Sequence, residues 1–176
     1  MEPGAEIHEE HPFVPPPADR DAVRRFRGRL AAPVTLWAAG TGRARAGLTV
    51  ASVLVVEGEP GHVVGMVDPD SDLADAVEQV GRFTVQLLGP DQQRLADQFG
   101  GVMPAPGGLF AQDDWTDTEW GPVLRDGAGW LGCRLDGTAE VGWSSRVDAT
   151  IERVVLAADR SALAYLRGRY HRLDPR

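Results

Sequence analysis

Lysine and asparagine are absent from this chain, and cysteine occurs once, at Cys133. Codon bias toward G and C accounts for the missing lysine as well as any physical demand does. Its absence excludes Schiff-base chemistry on a lysine amine. A single cysteine excludes an intrachain disulfide and a cysteine metal cluster. Cys133 stands in the run 130–135, which reads as a strand, so a buried, inert thiol is the expectation. No apolar run approaches the roughly 20 residues of a membrane-spanning helix. The first residues are acidic and proline-bearing, unlike a secretory signal, and a cytoplasmic location follows as the default. The formal net charge of −8 argues against a nucleic-acid partner. Arg20, Arg24, Arg25, Arg27 and Arg29 form a local basic cluster that reads as the solvated face of a helix.

The 176 residues, 43% hydrophobic and 25% charged, suffice for one soluble domain with its own core. Residues 1–18 carry Glu and Pro without helical or strand period and read as a mobile tail, leaving 19–176 as the domain. Val23, Phe26 and Leu30 space a short amphipathic helix over 19–30. Strands are expected over 33–39, 48–56, 62–67 and 82–88. Asp70 or Ser71 caps a helix carrying Leu73, Ala76, Val77 and Val80, and Gly81 ends it. A second helix spans 91–99. Residues 102–121 read as a long loop holding Phe110, Trp115 and Trp120, either a lid or contact surface or a segment packed on its own aromatics. The last strands are expected over 124–135, 138–143 and 147–157. Short strands with inserted helices predict a mainly β barrel or sandwich rather than a βαβ fold.

Most catalytic signatures are missing. His8, His11, His62 and His171 lack the spacing of a zinc site, so no metal is expected. No nucleophile elbow precedes a helix, and Ser144 and Ser145 have no evident histidine partner. The carboxylates from Asp68 to Asp75 lack the glycine and distal glutamate of a calcium loop and read as a charged helix start. The glycines at Gly40, Gly42, Gly107 and Gly108 are too few for a dinucleotide or phosphate fingerprint.

One stretch is unusual. Gly47-Leu48-Thr49-Val50-Ala51-Ser52-Val53 has strand propensity but small and hydroxyl side chains where a core strand carries bulk. It is either an ordinary buried strand with a few polar positions or a strand against whose main chain a flat ligand can lie.

Its neighbours extend the pattern. Glu59-Pro60 stands in the following turn, Ser71 at a helix start, and then come Gly81-Arg82-Phe83 and Gln93-Arg94-Leu95-Ala96 with Phe99. Trp115, Leu131-Gly132-Cys133 and Gly168-Arg169-Tyr170 complete the series. In order and spacing this resembles the flavin reductase-like family, FMN-binding split barrels, over roughly residues 20–173. The resemblance implies a homodimer that binds FMN, sometimes FAD, reduces it with NADH or NADPH, and in some members serves a flavin-dependent monooxygenase. It makes Thr49, Val50, Ala51 and Ser52 contacts of the flavin ring and Ser71 a phosphate contact; it assigns no catalytic residue here. Family members often carry a basic residue before that serine and a threonine two after it, where this chain has Asp70 and Leu73. Arg43, Arg45 or Arg82 would then supply the missing cation. Many reductases of the family also show a Gly-Asp-His run where this chain has Ser145, Arg146 and Val147. The alternative to a reductase is a non-enzymatic flavin-binding or dimeric split-barrel module.

Overall fold

The computed structural model describes residues 21–158 and 161–175. The expected tail, and with it His8 and His11, lies outside them. The elements in chain order are α1 (Ala22–Arg27), β1 (Ala32–Pro33), β2 (Thr35–Ala39), β3 (Ala46–Val50), β4 (Val53–Val56), β5 (His62–Val67) and α2 (Asp72–Val80). They continue with β6 (Arg82–Leu87), α3 (Gln93–Phe99), β7 (Trp115–Thr118), β8 (Gly121–Leu124), β9 (Gly129–Val141), β10 (Ser144–Leu156), β11 (Ala162–Leu166) and β12 (Arg169–Leu173). Among the described residues no helix is long and apolar enough to cross a membrane.

Seven antiparallel strands form the main sheet in the order β3-β2-β6-β9-β10-β5-β4. Laid flat, six steps of about 4.8 Å would hold β3 and β4 about 29 Å apart. Only Ala51 and Ser52 join these two edge strands, and three residue steps reach about 11 Å. The sheet must therefore curl until its edges meet. The Met66 N–H donates to the Ser52 carbonyl at 2.9 Å and carries the β4–β5 pairing one residue back into the link. Two β-bulges help the long strands bend: pairing between β9 and β10 skips Asp136 on one strand and Glu152 on the other. The result is the split β-barrel that the sequence predicts.

Side chains alternate across a strand, so β2, buried at every position, divides two cores. Trp37 points into the barrel and stacks on Phe83 at 4.9 Å, among Val63, Val67, Leu73, Val77 and Val147. Leu36 points the other way, into a second cluster with Leu95, Phe99, Leu124 and Leu163. That outer layer holds α3, the β7–β8 hairpin, and a small sheet in the order β1-β11-β12.

Several elements differ from the sequence expectation. The strand over 48–56 is two strands, broken at Ala51 and Ser52, because the chain crosses there from one sheet edge to the other. The long loop contains the β7–β8 hairpin. The strand over 124–135 divides between β8 and β9, and β9 runs on through a bulge at Asp136 into the strand expected over 138–143. Residues 162–173 form a hairpin. The helix over 19–30 is shorter, capped by Asp21, and its Val23 and Phe26 are exposed on this chain.

Cys133 is buried in the barrel core. Desolvation first, then the charge of Glu152, push its thiol up to about 12. The native protein should label with a thiol reagent at pH 8 about 100-fold or more slowly than the unfolded chain, as counted by mass spectrometry.

Candidate functional site

The seam between β3 and β4 leaves backbone donors open. Ala51 and Ser52 are half-buried, and among the described residues neither N–H has a hydrogen-bond partner. Unpaired donors removed from water are costly, and most folds leave few of them. Here they stand together where two strand edges meet.

The rest of the stretch is committed within the fold. A side chain at Gly47 would place its Cβ 2.6 Å from the Phe99 ring. The space that the sequence suggested for a ligand at Gly47 is therefore filled by α3. The Thr49 hydroxyl donates to the Ala96 carbonyl at 2.7 Å, again on α3. Val50 faces the barrel core, where the Thr35 hydroxyl holds its carbonyl at 2.6 Å. Of the four residues expected at a ring, Ala51 and Ser52 carry open donors at the strand break, while Thr49 and Val50 anchor the strand that leads to them. Tyr170 steadies α3 from behind, donating to Asp97 at 2.7 Å.

Ser71 is the N-cap of α2. Its hydroxyl donates to the Asp68 carbonyl at 2.6 Å and accepts from the Ala74 N–H at 3.2 Å. Asp68 in turn accepts the Asp70 N–H at 2.9 Å through its carboxylate. The first helical turn carries Asp72 and Asp75, which complement the helix dipole without a bound anion.

The three arginines weighed as compensating cations occupy different places. Arg82 follows α2's end and faces Glu119 at 3.5 Å and Glu152 at 3.4 Å. Arg45 donates to Asp117 at 2.9 Å and lies 5.8 Å from the Phe110 ring centroid. The Arg45 hydrogen bond holds the Asp117 carboxyl below the usual range. Arg43 is exposed in the turn between β2 and β3. It lines a cavity of about 410 Å³ with Gly47, Asp72, Gly107, Gly108 and Phe110.

Val147 is 2% exposed and belongs to the barrel core. Arg146 pairs with Asp148 at 2.9 Å. The long loop's aromatics are held by their own chain. Phe110 and Trp115 cluster with Phe99, while Trp120 fills the space above Gly132 and donates to Glu152 at 2.9 Å. The cavity wall from Gly107 to Phe110 escaped the sequence reading; the glycine pair was its one visible sign. Among the described residues no three His, Cys, Asp or Glu side chains gather as a metal site.

The family model described as flavin reductase like domain matches residues 27–174. The chain belongs to this family. The FMN reductase (NADH) of Ancylobacter novellus is 29% identical over 157 residues, covering 89% of this chain and 86% of that protein. The reductase component of 4-hydroxyphenylacetate 3-monooxygenase from Thermus thermophilus is also 29% identical, over 88% of this chain and 97% of its own. Among solved structures, the NADH:FAD oxidoreductase of Streptomyces globisporus superposes with a TM-score of 0.79 at 23% identity, covering 93% of this chain and 98% of that one. This flavin reductase-like chain thus shares the split-barrel fold with solved relatives across most of its length.

Proposed function

We propose that the protein is an NAD(P)H-dependent flavin oxidoreductase that takes FMN, with FAD as an alternative, at the seam between β3 and β4. The observation that carries this reading is the pair of half-buried, unpaired N–H groups at Ala51 and Ser52. A flavin ring has carbonyl and nitrogen acceptors along one edge, which suits such a pair. When bound, the flavin supplies the redox chemistry by accepting a hydride from the nicotinamide nucleotide. The chain's own residues bind and orient. Ala51 and Ser52 present donors to the ring's polar edge, where their dipoles favour negative charge. Thr49 and Val50 hold that segment against α3 and the barrel. Ser71 organises the start of α2, where Asp72 enters the wall of the cavity beside β3. Relatives named FMN reductase (NADH) and NADH:FMN oxidoreductase support the reaction class. The test is purification without added cofactor, followed by FMN titration and an assay of NADH or NADPH oxidation. Flavin absorbance or saturable binding, with FMN-dependent oxidation, is expected; a colourless protein that neither binds FMN nor oxidises either nucleotide defeats the reading.

A second reading is a flavin-binding module without reductase activity, favoured by the burial of Val147, which the resemblance sets against a histidine of many reductases. Saturable FMN binding with no nucleotide oxidation would select it.

The active form in this reading is a homodimer. β4 is an edge strand with Leu54, Val55 and Val56 exposed at 67%, 59% and 48%. An exposed apolar run directly after the seam is a surface a second copy would cover. Val55→Asp should weaken association by about 100-fold or more, since the carboxylate would be buried unpaired. Sedimentation of the variant as monomer, with an unchanged circular dichroism spectrum, is the expected result. Relatives named as reductase components of 4-hydroxyphenylacetate 3-monooxygenase suggest that reduced flavin passes to a flavin-dependent monooxygenase. A cytoplasmic location accords with use of the NAD(P)H pool.

A further inference from the structure

We infer that Arg43 receives the phosphate of the bound flavin, so that the cavity beside β3 selects phosphorylated flavin over riboflavin; this rests on the flavin reading above. Among Arg43, Arg45 and Arg82, geometry separates the three. Arg82 lies beyond the far end of the nine-residue α2, about 14 Å from its start, and is shared between two glutamates. Arg45 lines the same cavity as Arg43 but is tied to Asp117 at 2.9 Å and lies near the Phe110 ring. Arg43 makes no hydrogen bond or ion pair among the described residues, yet it lines the cavity of about 410 Å³. A guanidinium free of carboxylates keeps its full donor fork for a phosphate.

The cavity's other walls fit the same ligand. Gly107 and Gly108 have φ of 84° and 104°, conformations open to glycine, so bare backbone lines that side. Asp72 lines the cavity too and makes no ion pair with Arg43, although both are charged. A carboxylate accepts hydrogen bonds from hydroxyl groups and repels phosphate. A ligand that places hydroxyls toward Asp72 and a terminal phosphate toward Arg43 satisfies both, and a ribityl phosphate is such a polyol phosphate. Gly47 stands in the cavity wall four residues before Ala51, about 13 Å along the strand. That is the scale from a flavin ring edge to its terminal phosphate.

The test is fluorescence titration of the full chain with FMN and with riboflavin, at low and high salt. The wild type should bind FMN more tightly, with the difference shrinking as salt rises. Arg43→Ala should raise the FMN dissociation constant about tenfold and leave riboflavin unchanged. Arg43→Lys should recover part of the loss. An unchanged FMN constant in Arg43→Ala, or equal weakening of both flavins, overturns the assignment while leaving flavin binding intact. Failure of the wild type to bind either flavin overturns the flavin reading and this inference together.

Discussion

Gly65→Ala is expected to destabilise the protein by about 2–3 kcal/mol, a lowered urea midpoint at unchanged slope. Gly65 is buried in β5, facing the barrel interior. A Cβ there would lie 2.3 Å from Cη2 and 2.6 Å from Cζ2 of Trp37. The indole has nowhere to retreat. It is 0% exposed, stacks on Phe83 at an interplanar angle of 18°, and donates to the Thr35 hydroxyl at 3.1 Å. That hydroxyl in turn holds the Val50 carbonyl at 2.6 Å, so moving Trp37 disturbs the residue that leads into the seam. FMN affinity should therefore fall along with stability. Trp37→Phe removes the ring edge that the methyl would strike. The double variant Trp37→Phe with Gly65→Ala should be more stable than the sum of the single losses by about 1 kcal/mol. A Gly65→Ala protein that unfolds like the wild type would show that the barrel is not packed in this way.

Ser52→Pro should raise the FMN dissociation constant about 10- to 100-fold, the range expected when a hydrogen bond to a charged or polarised acceptor is lost. Proline removes one backbone donor. In this fold that donor has no partner among the described residues, while the Ser52 carbonyl, which accepts from Met66, remains. The melting temperature should accordingly stay within a few degrees of wild type, separating a lost ligand contact from a damaged seam. Isothermal titration and a thermal melt on the same sample check both halves. Undiminished FMN affinity in a folded Ser52→Pro protein would remove the Ser52 N–H from the site.

These two variants probe features of different legibility. Ser52 stood out in the sequence because a strand with Gly, Ala, Ser and Thr in place of bulk is unusual. The importance of Gly65 had no such sign, since its partner Trp37 is 28 positions away and the two meet only when the sheet closes. Gly47 shows the reverse error. The sequence suggested open space beside it, and α3, more than 45 positions onward, occupies that space with Phe99. Gly81 ends α2 as the sequence predicts, and of the two N-cap candidates Asp70 and Ser71 the structure selects Ser71; caps depend on residues within one or two turns. The hairpin at 162–173 and the bulges at Asp136 and Glu152 were missed because pairing partners, rather than local composition, define them.

By itself, the sequence determined the chemistry available to this protein: arginine as its cation apart from histidine, one cysteine, no lysine, a capped α2 and a small-residue strand. Those are properties of residues or of their near neighbours. Only the tertiary structure decided that the strand breaks at Ala51 and Ser52 and leaves their donors open. It also decided that Phe99 fills the space at Gly47 and that Arg43 alone of the three arginines lines a cavity without a carboxylate bound to it. The reason is physical. Each depends on segments distant in the chain meeting, by closure of the sheet or by packing of the outer layer on it, and such contacts have no period or motif along the chain.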